Sequence, residues 1–253
     1  MADDSLSICV LTYNGESLIN ECLASIDRQQ IPQETRIEKV IVDNGSFLPV
    51  AAPIGWRVHR LEQNRGNIGG QNACFEAATH DWILFVANDV RMTFDFLTDL
   101  WRERSEWHHI LQPLLMTPRG FVDNHGLRWV WPGYGFSERS VTGFSWGIDA
   151  FTSSCYLMHR WIWESLNGFD ETLGSSHEDV DFSLRAAQLK IRVKRCYGAR
   201  AIHLGNATLK HTMVNPRKIF HHARLKVIRK HYRFLNYWTR YLTIQCLDHL
   251  PHP

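Results

Sequence analysis

"NRGNIGGQNACFEAATHDWILFVANDV", residues 64–90, changes secondary structure within one short run. Gly66, Gly69 and Gly70 read as a turn entering a helix, because glycine admits positive φ and close backbone approach. "NIGGQNACFEAAT" reads as a Gly-rich turn running into a helix, which Asn72 starts. "DWILFVAND" follows, apolar at every position from Trp82 to Ala87. A half-buried strand alternates, whereas a strand apolar on both faces lies in the middle of a sheet. It stops on a polar pair, Asn88 and Asp89.

The flanking sequence repeats this plan. "LSICVLTYN", residues 6–14, is a buried-strand run ending in Thr12, Tyr13 and Asn14. "ESLINECLASIDRQ" places Leu18, Ile19, Cys22, Leu23 and Ile26 at helical spacing. "IEKVIVDNGS" is a second strand, ending in Asp43 and Asn44 and stopped by Asn-Gly. "WRVHRLE" is a third, "TFDFLTDLWRER" a helix and "HILQPLLM" a strand. Strands alternating with helices imply an α/β fold with a parallel, Rossmann-like sheet covered by helices on both faces. Such sheets bind ligands beyond the carboxyl ends of their strands. Three strands deliver polar groups to that edge.

Residues 118–150 are rich in Gly, Trp and Tyr and read as loops or hairpins. "DAFTSSCYLMHR" is predicted as one strand, "RWIWESLNGF" as a helix and "IRVKRC" as a strand. Two basic amphipathic helices follow, "PRKIFHHARLKVIRKHY" and "FLNYWTRYLTIQCL". The expected organisation is a domain over 1–210, with a ligand-binding half (1–116) and a second half (117–210), then a helical extension over 211–253.

The chain has 253 residues, 44% hydrophobic and 21% charged, which is ordinary for a globular protein. Its net charge of +2 hides eight Lys or Arg and no acid between Pro216 and Arg240. Two readings of that segment stay open: a solvated basic helix, or peripheral contact with an anionic membrane through residues 216–245. Nucleic acid is not an expected partner. Six cysteines without a C-x-x-C pair point to a reducing compartment. The start, "MADDSLSICVLTY", has no basic region before an apolar run, so no signal peptide is expected. "WILFVA" is too short to span a bilayer. The expected location is cytoplasmic, with the inner face of the membrane as a peripheral site. Fourteen histidines are scattered without zinc-site spacing.

"GSSHEDVDFSLR", residues 174–185, gathers Glu178, Asp179 and Asp181 at the front of a helix. Ser175 and Glu178 have capping-box spacing. Asp181 and Arg185 can pair at i,i+4. Asp179 is used by neither device. It is either a further N-terminal helix charge, kept ionised by the dipole, or a group that does chemistry.

Four segments in order resemble the inverting family 2 glycosyltransferases of the GT-A fold, notably their rhamnosyltransferase-like members. They are "VLTYNGESLINECLASI", "VIVDNGS", residues 64–90, and "LNGFDETLGSSHEDVDFSLRAAQLKIRV" followed by His203. Together they span roughly residues 6–205. The family's metal motif is commonly Asp-x-Asp, and here Ala87, Asn88 and Asp89 stand in its place, leaving one acid. The resemblance implies a UDP- or dTDP-sugar donor, a glycan or lipid-linked acceptor, and Mn²⁺ or Mg²⁺ on Asp89 and His203. It implies nucleotide contacts from Thr12, Tyr13, Asn14, Asp43, Asn67, Gly70, Asn72 and Asn88. Asp179 is the expected base, with Glu178 orienting it or holding the acceptor. Aromatic faces suit sugar rings, so Trp131 and Trp146 are expected at the acceptor, although Trp129, Tyr134 and these two serve equally well as core. Each contact has a bland counterpart: Asp89 as a helix cap, His203 as a packed core residue, Asp43 as a turn former, the glycines as a tight turn. Two other functions stay open. A nucleotidyltransferase would need a Gly-rich, Arg/Lys-bearing loop after the first strand, which "LTYNGESL" lacks. A non-catalytic nucleotide- or membrane-binding module would neither hydrolyse nor transfer donor.

Overall fold

The structure, a computed structural model, describes residues 5–30, 35–104, 107–130, 134–137, 148–174, 176–205 and 216–232. The chain runs β1 (Ser5–Thr12), α1 (Glu16–Asp27), β2 (Arg36–Asp43), β3 (Arg57–Arg60), α2 (Gly66–Ala77), β4 (Trp82–Ala87), β5 (Val90–Met92), α3 (Phe96–Arg102) and β6 (His109–Met116). It continues through β7 (Val122–Asn124), β8 (Leu127–Val130), β9 (Tyr134–Ser137), β10 (Ile148–Ala150), β11 (Cys155–His159) and α4 (Arg160–Ser165). A 3₁₀ turn (Glu171–Leu173), α5 (Glu178–Gln188), β12 (Arg192–His203) and α6 (Pro216–His231) complete it.

Nine strands form one sheet in the order β3-β2-β1-β4-β11-β6-β12-β5, with β7 also paired to β6, and β10-β8-β9 form a second. The first four strands are parallel, as is the β6–β12 pair. The expectation of a wholly parallel sheet is corrected at two places. β11 runs antiparallel between β4 and β6, and β5 runs antiparallel to β12. A run of alternating strands and helices reveals neighbours in sequence, and β11 joins neighbours distant in sequence.

The β4 side chains alternate between two cores. Ile83 and Phe85 enter the one covered by α2, α5 and α6; Trp82, Leu84 and Val86 enter the one covered by α1 and α3. This is why the run is apolar throughout. From α6, Ala223, Val227 and Ile228 are buried, and Val227 and Ile228 belong to the first core. The described cysteines are free and buried.

The strand expected over "DAFTSSCYLMHR" is instead two, β10 and β11, broken at residues 151–154. The backbone groups freed by the break find other partners, as buried peptide groups must. Thr152 N–H donates to Gln112 Oε1 (2.7 Å), Ser153 N–H to Asp179 Oδ2 (3.4 Å), and Ser154 C=O accepts from Ala87 N–H (2.9 Å).

Candidate active site

The carboxyl ends of β1, β2 and β4 meet as expected. Asn88 Nδ2 donates to Thr12 Oγ1 at 2.9 Å, and both residues are buried. Tyr13 is half-buried and Asn14 exposed, the latter held at a φ of 47°. Asn14 N–H donates to Ser46 Oγ and its Oδ1 accepts from Phe47 N–H, each at 2.9 Å.

Asp43, expected at the nucleoside, is held by protein groups at the end of β2. It is fully buried, and its carboxylate accepts from the N–H groups of Ser46 and Val50 and from the Arg60 guanidinium. Burial alone would raise its pKa; hydrogen bonds from Ser46, Val50 and Arg60 together hold it below the ordinary value. In this conformation it shapes the 43–50 loop and leaves Asn14 facing outward.

Asn72 and Gly70, also expected at the nucleotide, have neighbours within the protein. Asn72 Nδ2 donates to Phe169 C=O and Glu171 Oε1, and its Oδ1 accepts from Phe169 N–H, so its amide locks the turn before α5. It also lies inside α2, which begins at Gly66. A Cβ on Gly70 would stand 2.7 Å from Leu11 Cδ1 and 3.0 Å from Asn44 Nδ2. Glycine there permits α2 to pack on β1. Asn67 turns toward the acid helix: its Nδ2 donates to Glu178 Oε1 at 2.7 Å. Gln71 Nε2 donates to the same oxygen at 2.9 Å, and Tyr156 O–H donates to Gln71 Oε1. Gln71 and Tyr156 gave no signal in the sequence, because a helix position and a strand position far apart carry no shared spacing.

Ser175, expected to form a capping box with Glu178, lies outside the described residues. α5 is capped by His177 at a φ of 65°, which places Glu178 at the first helical position. The Glu178 carboxylate crosses to α2. Asp179 stands beside it, accepting from Val180 N–H (2.8 Å) and Ser153 N–H (3.4 Å). The expectation that the helix dipole keeps Asp179 readily ionised is also corrected. Burial first, then the charge of Glu178, lifts its pKa from 3.8 to about 8, against the backbone hydrogen bonds. The Asp181–Arg185 pair forms at 2.9 Å. Asp181 is fully buried and also meets Lys230 (2.9 Å) and His231 (2.7 Å) of α6.

Asp89 and His203 are brought together, with Asp89 Oδ2 3.5 Å from His203 Nε2. Asp89, in the turn before β5, meets the end of β12: His203 lies opposite Val90, and Leu204 N–H donates to Asp89 C=O at 3.0 Å. Asp89 caps no helix; α3 is entered at Asp95. The ring's other nitrogen, Nδ1, is 2.7 Å from Asp123 Oδ2, a residue the sequence did not single out. Among the described residues no group of three or more His, Cys, Asp or Glu side chains forms a closed metal cage. One carboxylate oxygen and one imidazole nitrogen facing each other suit a hard divalent ion that takes its remaining ligands from phosphate and water.

Trp131 and Trp146 lie outside the described residues. Trp129 is core: it is buried and its Nε1–H donates to Tyr232 Oη at 3.2 Å.

The sequence model of glycosyl transferase family 2 matches residues 7–164. The chain belongs to that family, and its fold is GT-A. No curated protein matches the chain. Among solved structures, it is similar to GalNAc-T7 with UDP, GalNAc and Mn²⁺, with a TM-score of 0.64, 14% identity and 79% of this chain covered against 43% of that one. It is similar to S. aureus TarS 1-349 in complex with UDP-GlcNAc, with a TM-score of 0.57, 20% identity, and 88% and 66% covered. A third is the mannosyltransferase PcManGT from Pyrobaculum calidifontis with GDP-Man and Mn²⁺, with a TM-score of 0.57, 15% identity, and 97% and 76% covered. The chain spans less than two thirds of the length of the first two. At these identities the likeness is one of fold.

Proposed function

We propose that the protein is a metal-assisted inverting glycosyltransferase that moves a hexose or deoxyhexose from a UDP- or dTDP-sugar to a hydroxyl of a glycan or lipid-linked glycan. One juxtaposition carries the reading. The break between β10 and β11 binds Asp179, the base of this reading, and the turn that carries Asp89 together, through Ser153 N–H on Asp179 and Ser154 C=O on Ala87 N–H. Two neighbouring residues thus tie proton acceptance to leaving-group binding. The free, buried cysteines fit a cytoplasmic setting.

Asp89 and His203 would hold Mn²⁺ or Mg²⁺, which when bound neutralises the departing diphosphate. Thr12 and Asn88 set the floor of the donor edge, and Asn14 is its exposed polar group. The acceptor oxygen forms its bond to the anomeric carbon as the bond from that carbon to the diphosphate breaks. The hydroxyl proton passes to the Asp179 carboxylate. A buried carboxyl with a raised pKa is a stronger base once ionised than an exposed one. Glu178, pinned by Asn67 and Gln71, fixes the entry of α5 and therefore the place of Asp179.

Calorimetry with UDP, dTDP and GDP, each with Mn²⁺, tests the donor side. Asp89→Ala is expected to abolish the metal-dependent part of nucleotide binding while the protein keeps its melting temperature. Unchanged affinity for the preferred nucleotide would remove Asp89 from the metal site.

A further inference from the structure

His203 has two ring nitrogens, and the reading above uses one. The other is engaged by Asp123 at 2.7 Å. Asp123 sits on β7, where Leu115 pairs with Asn124 and Met116 with Val122. Two residues of β6 therefore face three of β7, and Asp123 is the extra one. A bulge of this kind re-aims a side chain and is frequent at sheet edges beside sites. Here it directs the one acid of β7 at the end of β12.

We propose that Asp123 is the positioning residue of the metal centre, an inference that rests on His203 being a metal ligand. Its carboxylate accepts the Nδ1 proton, which fixes the tautomer and leaves the Nε2 lone pair toward Asp89. The imidazole stands between two carboxylates, with Asp123 Oδ2 2.7 Å from Nδ1 and Asp89 Oδ2 3.5 Å from Nε2. A carboxylate behind a ligating histidine orients the ring and raises its basicity. Asp123 also brings a second protein negative charge to a centre whose strand mouth, Ala87-Asn88-Asp89, has one acid. It does so without occupying a coordination position, which leaves those positions to phosphate and water.

The test uses the full chain. Free Mn²⁺ is followed by electron paramagnetic resonance during titration in the presence of UDP or GDP. Wild type is compared with His203→Ala, Asp123→Ala and Asp123→Asn. Asp123→Ala is expected to weaken Mn²⁺ binding roughly 10–100-fold, the usual size for a partner behind a metal ligand. Asp123→Asn, whose amide oxygen still accepts from Nδ1 but has no charge, is expected to fall between. Nitrogen-15 spectra of the metal-free protein should show the Nδ1-protonated tautomer of His203 in wild type and in Asp123→Asn. If His203→Ala loses Mn²⁺ while both Asp123 variants keep wild-type affinity, Asp123 has no positioning role. A predominantly Nε2-protonated His203 in metal-free wild type overturns it as well. If His203→Ala itself leaves Mn²⁺ affinity unchanged, the ligand reading of His203 fails, and the inference with it.

Discussion

Two aspartates two positions apart on α5 are driven in opposite directions by their partners. Asp179 is buried with a carboxylate neighbour, and its pKa is raised from 3.8 to about 8. A group raised in the fold contributes stability that is full below its unfolded value of about 4 and is lost as pH rises through 8. Asp179→Asn should therefore melt higher than wild type at pH 8–9, by on the order of 5 °C, with the gain shrinking toward pH 4. The same variant should lose transfer on the order of 10²–10⁴-fold and keep nucleotide affinity. The wild-type pH profile of kcat/KM should climb toward pH 8. A variant retaining over half of wild-type turnover would return Asp179 to the role of a helix-end charge. Asp181 is the reverse case. Burial would raise it, but hydrogen bonds from His231 and Lys230 and the charge of Arg185 bring it down to about 2. Its stability contribution is present above about 4 and is lost as pH falls through 2. Asp181→Asn leaves three basic groups converging without a counter-charge. It should destabilise the protein by about 3–5 kcal/mol at neutral pH, read by urea unfolding. Unfolding free energy unchanged from wild type would show that Lys230 and His231 find other partners.

At the scale of elements, the helices and strands of the first half other than β5 were legible because each carries its own signal. Positions such as Leu23 and Ile26 in α1 repeat at helical spacing, and β4 is apolar on both faces. The acid helix was legible as a helix but not in its start. His177 takes a left-handed φ, with its ring between Trp129 (5.9 Å) and Phe220 (6.1 Å), and only tertiary packing can select that. Burial, then the charge of Arg224, lowers the His177 pKa to about 4, so this cap is uncharged at neutral pH. α6 was read as basic and amphipathic, with a solvated face or a membrane as the destination of its cations. Part of that charge goes inward. Lys226 donates to Thr172 C=O and Lys230 to Asp170, while Lys230 and His231 meet Asp181. Arg229 is exposed and remains available to the proposed membrane contact through 216–245. Flotation with anionic liposomes checks it. Binding at low salt that fades near physiological salt supports a peripheral contact; no flotation at any salt ends it.

Across the whole molecule, the site was legible where a strand ends in polar residues and illegible where partners come from distant segments. Thr12, Asn88 and Asp89 follow from strand ends. Asp123, Gln71 and Tyr156 act through pairings that no local period encodes. The insertion of β11 between β4 and β6 is the same kind of fact, and it has a consequence for biosynthesis. β4 and β6 are synthesised well before the strand that separates them. Until residues 155–159 leave the ribosome, the nascent chain carries two apolar strands whose facing edges have no partner. Unpaired edges of this sort recruit other chains. A fragment ending at residue 116 would hold that condition permanently, although it contains nearly all of the donor edge. Expressed alone, it should be found in the insoluble fraction, and co-expression with residues 117–253 should bring it back into solution. The two halves named from the sequence would then be partners in a single folding event, and a growing polypeptide would acquire its acid helix and its Asp89–His203 pair together, late in translation.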